Sequence, residues 1–95
     1  MSIEELVVKY IISAKTVFRD LKPAGKSLAV EPDQVKECIR WARNYLADAE
    51  YFTEKKKFEV SLTSVAYCEG MLDALRLLGA VSFEWPDRSK EEKPF

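Results

Sequence analysis

The chain has 95 residues, 47% of them hydrophobic and 33% charged, and its 15 basic and 16 acidic residues leave a net charge of −1. This length predicts a single domain, and the balanced charge argues against nucleic acid as a partner, because dedicated nucleic-acid binders carry a basic face. The chain has no histidine, the commonest general base and metal ligand, and no apolar run near the roughly 18–20 residues of a membrane span, so we expect no enzyme, no cofactor, no metal and no membrane.

The first predicted element is a helix that begins at a capping box. Ser2 can accept a hydrogen bond from the amide of Glu5, whose side chain can reach back to Ser2. Apolar residues then recur at spacings of three and four over five turns: Ile3, Leu6, Val7, Tyr10, Ile11, Ala14, Val17, Phe18 and Leu21. Pro23 ends this helix because proline lacks an amide hydrogen and restricts the residue before it. The acidic start differs from a secretory signal and predicts a cytoplasmic protein.

The second predicted helix follows a linker over residues 22–33. Leu28 and Val30 are expected to hold this linker against the domain. Pro32 and Asp33 mark the start of the helix, with Asp33 as its cap. One side of the helix is apolar: Val35, Cys38, Ile39, Ala42, Tyr45, Leu46, Ala49 and Phe52.

The third predicted helix runs from Phe58 to Gly79, a C-terminal stop, after a junction at Lys55–Lys57. Three helices of about 20 residues, one joined to the next by a tight turn, predict an all-α fold, an antiparallel three-helix bundle made of a long helical hairpin and an N-terminal helix. Residues 1–80 would form this domain. Residues 81–95 would form a partly ordered tail whose last residues are mobile.

The third helix is apolar on two sides, more than two neighbours in a small bundle can cover. Its second side carries Val60, Tyr67, Met71 and Leu78. With apolar residues on the back of the first helix and in the tail, these form a set of interface candidates: Val8, Ile12, Val60, Tyr67, Met71, Leu78, Phe83 and Trp85. Either the tail folds over this surface, or a second copy or another protein covers it, or it stays exposed without a role.

A polar cluster on the third helix has two interpretations. Glu69 and Asp73 lie one turn apart, and Arg76 follows on the same face, with Asp48 of the second helix as a further member. Two carboxylates so placed could perform acid–base chemistry or bind a divalent cation. We favour a salt-bridge network that closes one end of the bundle.

Three smaller features receive structural interpretations. Cys38 and Cys68 are expected to be free thiols, although a disulfide is geometrically possible. Gly70 is expected to allow close packing, against Ala42. Most of the aromatic residues of the hairpin are interpreted as core, the set being Trp41, Tyr45, Tyr51, Phe52 and the interface candidate Tyr67.

Two motifs in the hairpin carry a family resemblance. They read Trp41-Ala42-x-x-Tyr45-x-x-Asp48-Ala49-x-x-Phe52 and Gly70-Met71-Leu72-Asp73-Ala74-Leu75-Arg76-Leu77-Leu78-Gly79. Over roughly residues 3–79, with the linker and tail outside the closest match, the chain resembles a small archaeal helical family catalogued as domain of unknown function 357. The resemblance implies a helical hairpin with an added helix, sometimes attached to a nucleotidyltransferase-like domain. It brings no catalytic role to the positions that match: Asp48, Tyr67, Gly70, Asp73 and Arg76.

The leading functional hypothesis is therefore a non-catalytic helical module that acts by protein–protein contact, as a homodimer or by docking to another protein. Tyr67, Met71 and Leu78 would be its anchors. The alternative is a nucleotide- or RNA-binding accessory domain of a nucleotidyltransferase-type system, which would use Lys55–Lys57, Arg40 and other basic side chains of the hairpin, such as Arg43.

Overall fold

A computed structural model describes residues 2–86, which form three helices: α1 (Ile3–Asp20), α2 (Pro32–Glu54) and α3 (Phe58–Leu77). No strand occurs in this range, so the predicted helix-only class is confirmed. Within the same range no helix is long and apolar enough to cross a membrane. The predicted mobility of the last residues concerns positions that lie outside the described ones.

Local side-chain signals set where α1 and α2 begin. The Ser2 Oγ accepts a hydrogen bond from the backbone N–H of Glu5 at 3.1 Å, as its capping position predicts. At α2 the N-cap is Glu31, whose N–H donates to the side-chain oxygen of Gln34 at 3.0 Å. The expectation that Asp33 caps α2 was wrong: Asp33 lies in the first turn, where a negative charge favours the helix dipole.

The C-termini of α2 and α3 end in the same backbone motif. At α3, Gly79 has φ +77°, and the N–H of Ala80 donates to the carbonyl of Leu75 at 2.9 Å, which confirms Gly79 as the stop. At α2 the equivalent left-handed residue is Lys56, with φ +59°, and the N–H of Lys57 donates to the carbonyl of Phe52, five residues back, at 2.8 Å. A side chain in this conformation costs about 1 kcal/mol relative to glycine.

α2 and α3 form an antiparallel hairpin whose seam consists mostly of small side chains. Ala42 and Ala49 line it from α2, seven residues apart, and Ser61, Cys68 and Leu75 line it from α3 at the same spacing. A seven-residue repeat keeps side chains facing the partner helix along the whole contact. Because interaxial distance depends on the side chains at the contact, this composition brings the two backbones close together.

Ser61 connects the helices near the turn by hydrogen bonds. Its hydroxyl donates to the carbonyl of Ala49 at 2.7 Å and lies 2.7 Å from the hydroxyl of Thr53. Its oxygen is buried, so these partners replace the water it loses. The polar residue at the seam therefore fixes the register of the hairpin.

A seam of small residues leaves the large side chains at its edges. The buried apolar residues of the described chain are Ala42, Ala49, Cys68 and Leu75, and no large side chain there is fully buried. Two helices cover only the stripe along which they touch, and a stable domain needs a further layer over the remaining apolar surface. The hairpin therefore has a seam and lacks an enclosed core.

α1 lies apart from the hairpin. All 18 of its residues are exposed, and within residues 2–86 the helix packing is between α2 and α3 alone. The radius of gyration, 16.3 Å, exceeds the roughly 12 Å expected for a compact chain of this length. The predicted hairpin and N-terminal helix are both present, but the single chain does not bring α1 onto the hairpin.

Candidate interaction surface

The first exposed apolar surface, here called the aromatic flank, lies along one edge of the hairpin seam and consists of Trp41, Tyr45, Tyr67 and Met71. These residues line a shallow groove of about 310 Å³. The rings of Tyr45 and Tyr67 meet across the seam with centroids 4.4 Å apart, and the centroid of Trp41 lies 6.5 Å from that of Tyr45. The flank thus draws on both helices of the hairpin.

Glu37, one turn before Trp41 on α2, orients the exposed end of this flank. Its carboxylate accepts a hydrogen bond from the indole N–H of Trp41 at 3.1 Å and also forms an ion pair with Arg40. The guanidinium of Arg40 lies 5.8 Å from the centroid of the Trp41 ring, within cation–π range. Trp41 is therefore held in one orientation while its ring faces solvent.

The interpretation of most hairpin aromatics as core was wrong for Trp41 and Tyr51, and the interface candidate Tyr67 is exposed as well. Trp41 is 46% exposed, Tyr51 54% and Tyr67 57%, whereas Tyr45 and Phe52 are half-buried. The apolar pattern on α2 gave the correct side of the helix. It could not show that the alanines would occupy the contact and leave the rings outside it.

The second exposed apolar surface, here called the α1 stripe, follows the helical repeat of α1. It consists of Ile3, Leu6, Val7, Tyr10, Ile11, Ala14, Val17 and Phe18. Exposure of its large side chains ranges from 38% at Leu6 to 76% at Phe18. A lone helix of this length is marginal in water, because most helical stability in proteins comes from the packing of an apolar face.

The predicted interface candidates do not form one surface. Tyr67 and Met71 belong to the aromatic flank, and Val60 and Leu78 fall on the same side of α3 by helical position, both exposed. Val8 and Ile12 lie on α1, on the side away from its stripe. The last two candidates, Phe83 and Trp85, lie against the opposite edge of α3.

The first part of the tail is fixed to α3 through Asp73. The indole N–H of Trp85 donates to Asp73 Oδ1 at 2.7 Å, and Arg76 donates to the same oxygen at 3.1 Å. Phe83 stacks edge-on against Trp85, 4.9 Å between centroids, and lies 5.7 Å from the guanidinium of Arg76. The hydrogen bond from Trp85, followed by that from Arg76, lowers the pKa of Asp73 below its ordinary value.

The described part of the tail therefore covers the Asp73 side of α3, leaving the Tyr67 side open. Asp73 and Met71 are two residues apart, so they point about 160° away from each other around the helix axis. Tyr67 is exposed while Trp85 is bound at Asp73. The sequence left open whether the tail or another chain covers the Tyr67 side of α3. Residues 81–86 of the tail do not cover it.

The predicted polar network is smaller than expected. Asp73 and Arg76 are paired, and Glu69 is half-buried on the same helix. Asp48 is exposed and forms no hydrogen bond or ion pair with these three described residues. In residues 2–86 no group of three or more cysteine, aspartate or glutamate side chains could hold a metal ion. Asp73, paired with Arg76, anchors the tail through Trp85.

The cysteines and Gly70 have structural surroundings. Cys68 is buried in the seam and Cys38 is half-buried, and both are free thiols. Burial raises the pKa of the Cys68 thiol, and the neighbouring charge of Glu69 adds to this, which disfavours the reactive thiolate form. The expected close packing at Gly70 was wrong, since a side chain built there would meet nothing within 4 Å.

The linker contributes a second groove at the open end of the hairpin. Leu28 and Val30 face Val35 of α2 and Leu78 beyond α3 across a space of about 560 Å³. Both linker residues remain exposed, so they line this groove without filling it. The linker therefore passes the end of α3 on its way from α1 to α2.

One comparison with known proteins identifies the class of this chain. Residues 9–81 match the family described as "Protein of unknown function (DUF357)". The protein belongs to this family, and the match includes most of α1, the linker and the whole hairpin. The expectation that the linker lies outside the family pattern was therefore wrong. No curated protein and no solved structure matches the chain.

Proposed function

We propose that this protein is a non-catalytic helical module that acts by protein–protein contact, with the aromatic flank as its contact surface. The observation that carries the proposal is the exposure of Trp41 and Tyr67 beside Met71 at the edge of a well-defined hairpin. Tryptophan, tyrosine, methionine and arginine are the residues most enriched where proteins bind one another. Such rings remain exposed in a single chain at a cost in solubility, which a partner would remove.

The orientation of Trp41 supports the same function. Glu37 binds its indole N–H and fixes Arg40 over the ring, so the largest side chain of the flank loses little conformational freedom on binding. The free thiols fit a reducing compartment such as the cytoplasm, where we propose that the module acts.

A photo-crosslinker at position 41 tests the contact surface. We expect p-benzoylphenylalanine in place of Trp41 to give a discrete covalent adduct with one protein when the full-length chain is irradiated in its native host. The same group in place of Ala47, exposed on the solvent side of α2, is the matched control and should give none. The adduct should also disappear when Tyr67→Glu is added. Equal labelling from positions 41 and 47 would contradict the proposal.

One observation favours the alternative, a nucleotide- or RNA-binding accessory domain. The ammonium of Lys55 lies 5.5 Å from the ring centroid of Tyr51, so a cation and an exposed aromatic ring stand together at the turn. Arg40 is already paired with Glu37. We expect no binding of labelled single-stranded RNA at low salt. A salt-dependent affinity that Lys55→Glu abolishes would replace our proposal with this one.

A further inference from the structure

We propose that the occupant of the aromatic flank is α1 of a second copy of this chain, so that two chains exchange their N-terminal helices in a homodimer. This inference rests on the proposed function and names its partner. One chain carries two apolar surfaces without a packing partner, the α1 stripe and the aromatic flank. The stripe is one face of a helix and the flank is a groove between two helices, a combination by which amphipathic helices bind proteins. A two-fold arrangement fills both surfaces on both copies.

The exposed area is sufficient for such a dimer. The chain exposes 8645 Å², whereas a compact monomer of 10.9 kDa exposes about 5,600 Å². The surplus, on the order of 3,000 Å², exceeds the roughly 800 Å² that each partner buries in a stable interface. α1 contributes a full helix length of apolar side chains to this surplus.

Charge complementarity sets the direction in which α1 docks. The first turn of α1 carries Glu4 and Glu5, and the turn of the hairpin carries Lys55–Lys57. An α1 antiparallel to α2 places these carboxylates beside the lysines, whereas the reverse direction places Arg19 there. In the favoured direction Phe18, the most exposed side chain of the stripe, lies level with the aromatic flank.

The back of α1 favours a second copy over the chain's own hairpin. Val8 and Ile12 are exposed on the side away from the stripe. If α1 folded onto its own hairpin, the stripe would be covered and these two residues would still face water. An α1 held between two chains can have apolar neighbours on both sides, which is where its sequence places apolar residues.

The oligomeric state of the full chain tests the proposal first. Light scattering should give twice the 10.9 kDa of one chain. Ala14→Glu places a charge at the centre of the stripe while keeping a good helix former, and it should raise the dissociation constant on the order of 100-fold. Lys9→Glu places a carboxylate at a polar position of α1 between the stripe and the side that carries Val8 and Ile12, and it is the control, with no change expected. A monomeric wild type would overturn the proposal.

Crosslinking between isotopically distinct chains then distinguishes exchange of α1 between two chains from packing of α1 on its own hairpin. The protein carries p-benzoylphenylalanine at position 18, and unlabelled and nitrogen-15 chains are mixed, dissociated and reassociated before irradiation. We expect peptides that join position 18 of one mass form to Tyr67 or Met71 of the other. Crosslinks confined to one mass form would show that α1 closes onto its own hairpin, and a dimer without crosslinks to the flank would show another interface. Either result overturns the proposal.

The two proposals fail in different ways. A monomer whose position 41 still gives a discrete adduct with another protein would refute the exchange of α1 and leave the contact function in place. A chain that neither dimerises nor forms an adduct from position 41 would refute both.

Discussion

The hairpin and α1 have similar helical patterns in the sequence, yet the structure treats them differently. α2 and α3 share a seam with buried Ala42 and Leu75, whereas every residue of α1 is exposed. Both regions have well-formed ends, including the cap at Ser2 and the turn at Lys56. Local signals therefore suffice to place a helix. They do not supply the neighbour that makes it stable.

Small residues at the seam limit the stability of the two-helix hairpin. Alanine, serine and cysteine at the seam allow close approach but bury little apolar area, which is the main source of stability. The large side chains that could supply it stand at the edges, Trp41 and Tyr67 among them. The hairpin lacks a cover for the large apolar side chains at its edges, and α1 lacks a neighbour for its apolar stripe.

The largest expected difference between the hairpin and α1 is in the free energy of unfolding that an alanine substitution removes from each. Leu75→Ala removes the largest side chain of the seam and should lower the free energy of unfolding by about 2–4 kcal/mol. Ile11→Ala on the exposed stripe should cost less than half of that in dilute, dissociated protein. Urea denaturation followed by circular dichroism measures both. Equal losses would mean that α1 is packed as firmly as the hairpin.

A substitution at Ser61 tests whether its hydrogen bonds stabilise the seam. Ser61→Ala removes the bond to the carbonyl of Ala49 and leaves that acceptor buried, so we expect a loss of about 1–2 kcal/mol in the free energy of unfolding. Thr63→Ala is the control, because its hydroxyl bonds only to its own helix at an exposed position. A neutral Ser61→Ala would show that small size alone matters at this point.

Alanine substitutions at Gly70 and Gly79 should change the stability of the protein in opposite directions. Gly70→Ala meets no neighbour and should stabilise α3 by up to about 1 kcal/mol, since glycine is a poor helix former. Gly79→Ala forces a side chain into a positive φ and should destabilise by about 1–2 kcal/mol. Thermal unfolding compares the two. If Gly70→Ala is destabilising, a partner helix must approach α3 at Gly70.

A smaller gain is expected at the turn of the hairpin. Lys56→Gly relieves the left-handed conformation and should raise the free energy of unfolding by roughly 0.5–1 kcal/mol. Lys55→Gly removes the same charge at a residue with negative φ and should give no gain. The same urea titration serves, and equal effects of the two variants would indicate that charge, not backbone conformation, decides.

The smallest effect concerns the tail at acidic pH. The pKa of Asp73 is lowered in the folded protein by the hydrogen bonds from Trp85 and Arg76, so the stabilisation from this carboxylate is present above its ordinary pKa of 3.8 and is lost as the pH falls through the lowered value. The indole N–H resonance of Trp85 should therefore move below about pH 4. In Asp73→Asn this titration should vanish. A titration that persists unchanged would assign it to another group.

Much of the fold could be predicted from particular residues. Ser2 with Glu5, Gly79 and the spacing of apolar residues placed the three helices to within a few positions. The cap of α2 was misplaced because Glu31 and Gln34 are a less obvious pair than Pro32 and Asp33. The turn at Lys56 has no glycine to reveal its left-handed residue.

The candidate site was predictable only in part. Tyr67 and Met71 were expected on an open face of α3, but Trp41 and Tyr45 were assigned to the core. The seven-residue spacing of Ser61, Cys68 and Leu75 on α3 was the signal that could have corrected this. Nothing local indicated that Trp85 would bind Asp73, because the two lie on different segments.

The sequence by itself determined where this chain is helical, where each helix stops and which sides are apolar, because caps, φ preferences and the 3.6-residue repeat act over a few neighbouring residues. Only the tertiary structure decided that Ala42 and Ala49 make the contact, that Trp41 and Tyr67 stand outside it, and that α1 finds no place on its own hairpin. These outcomes depend on how side chains of different size fit against a distant segment, and periodicity carries no information about that fit.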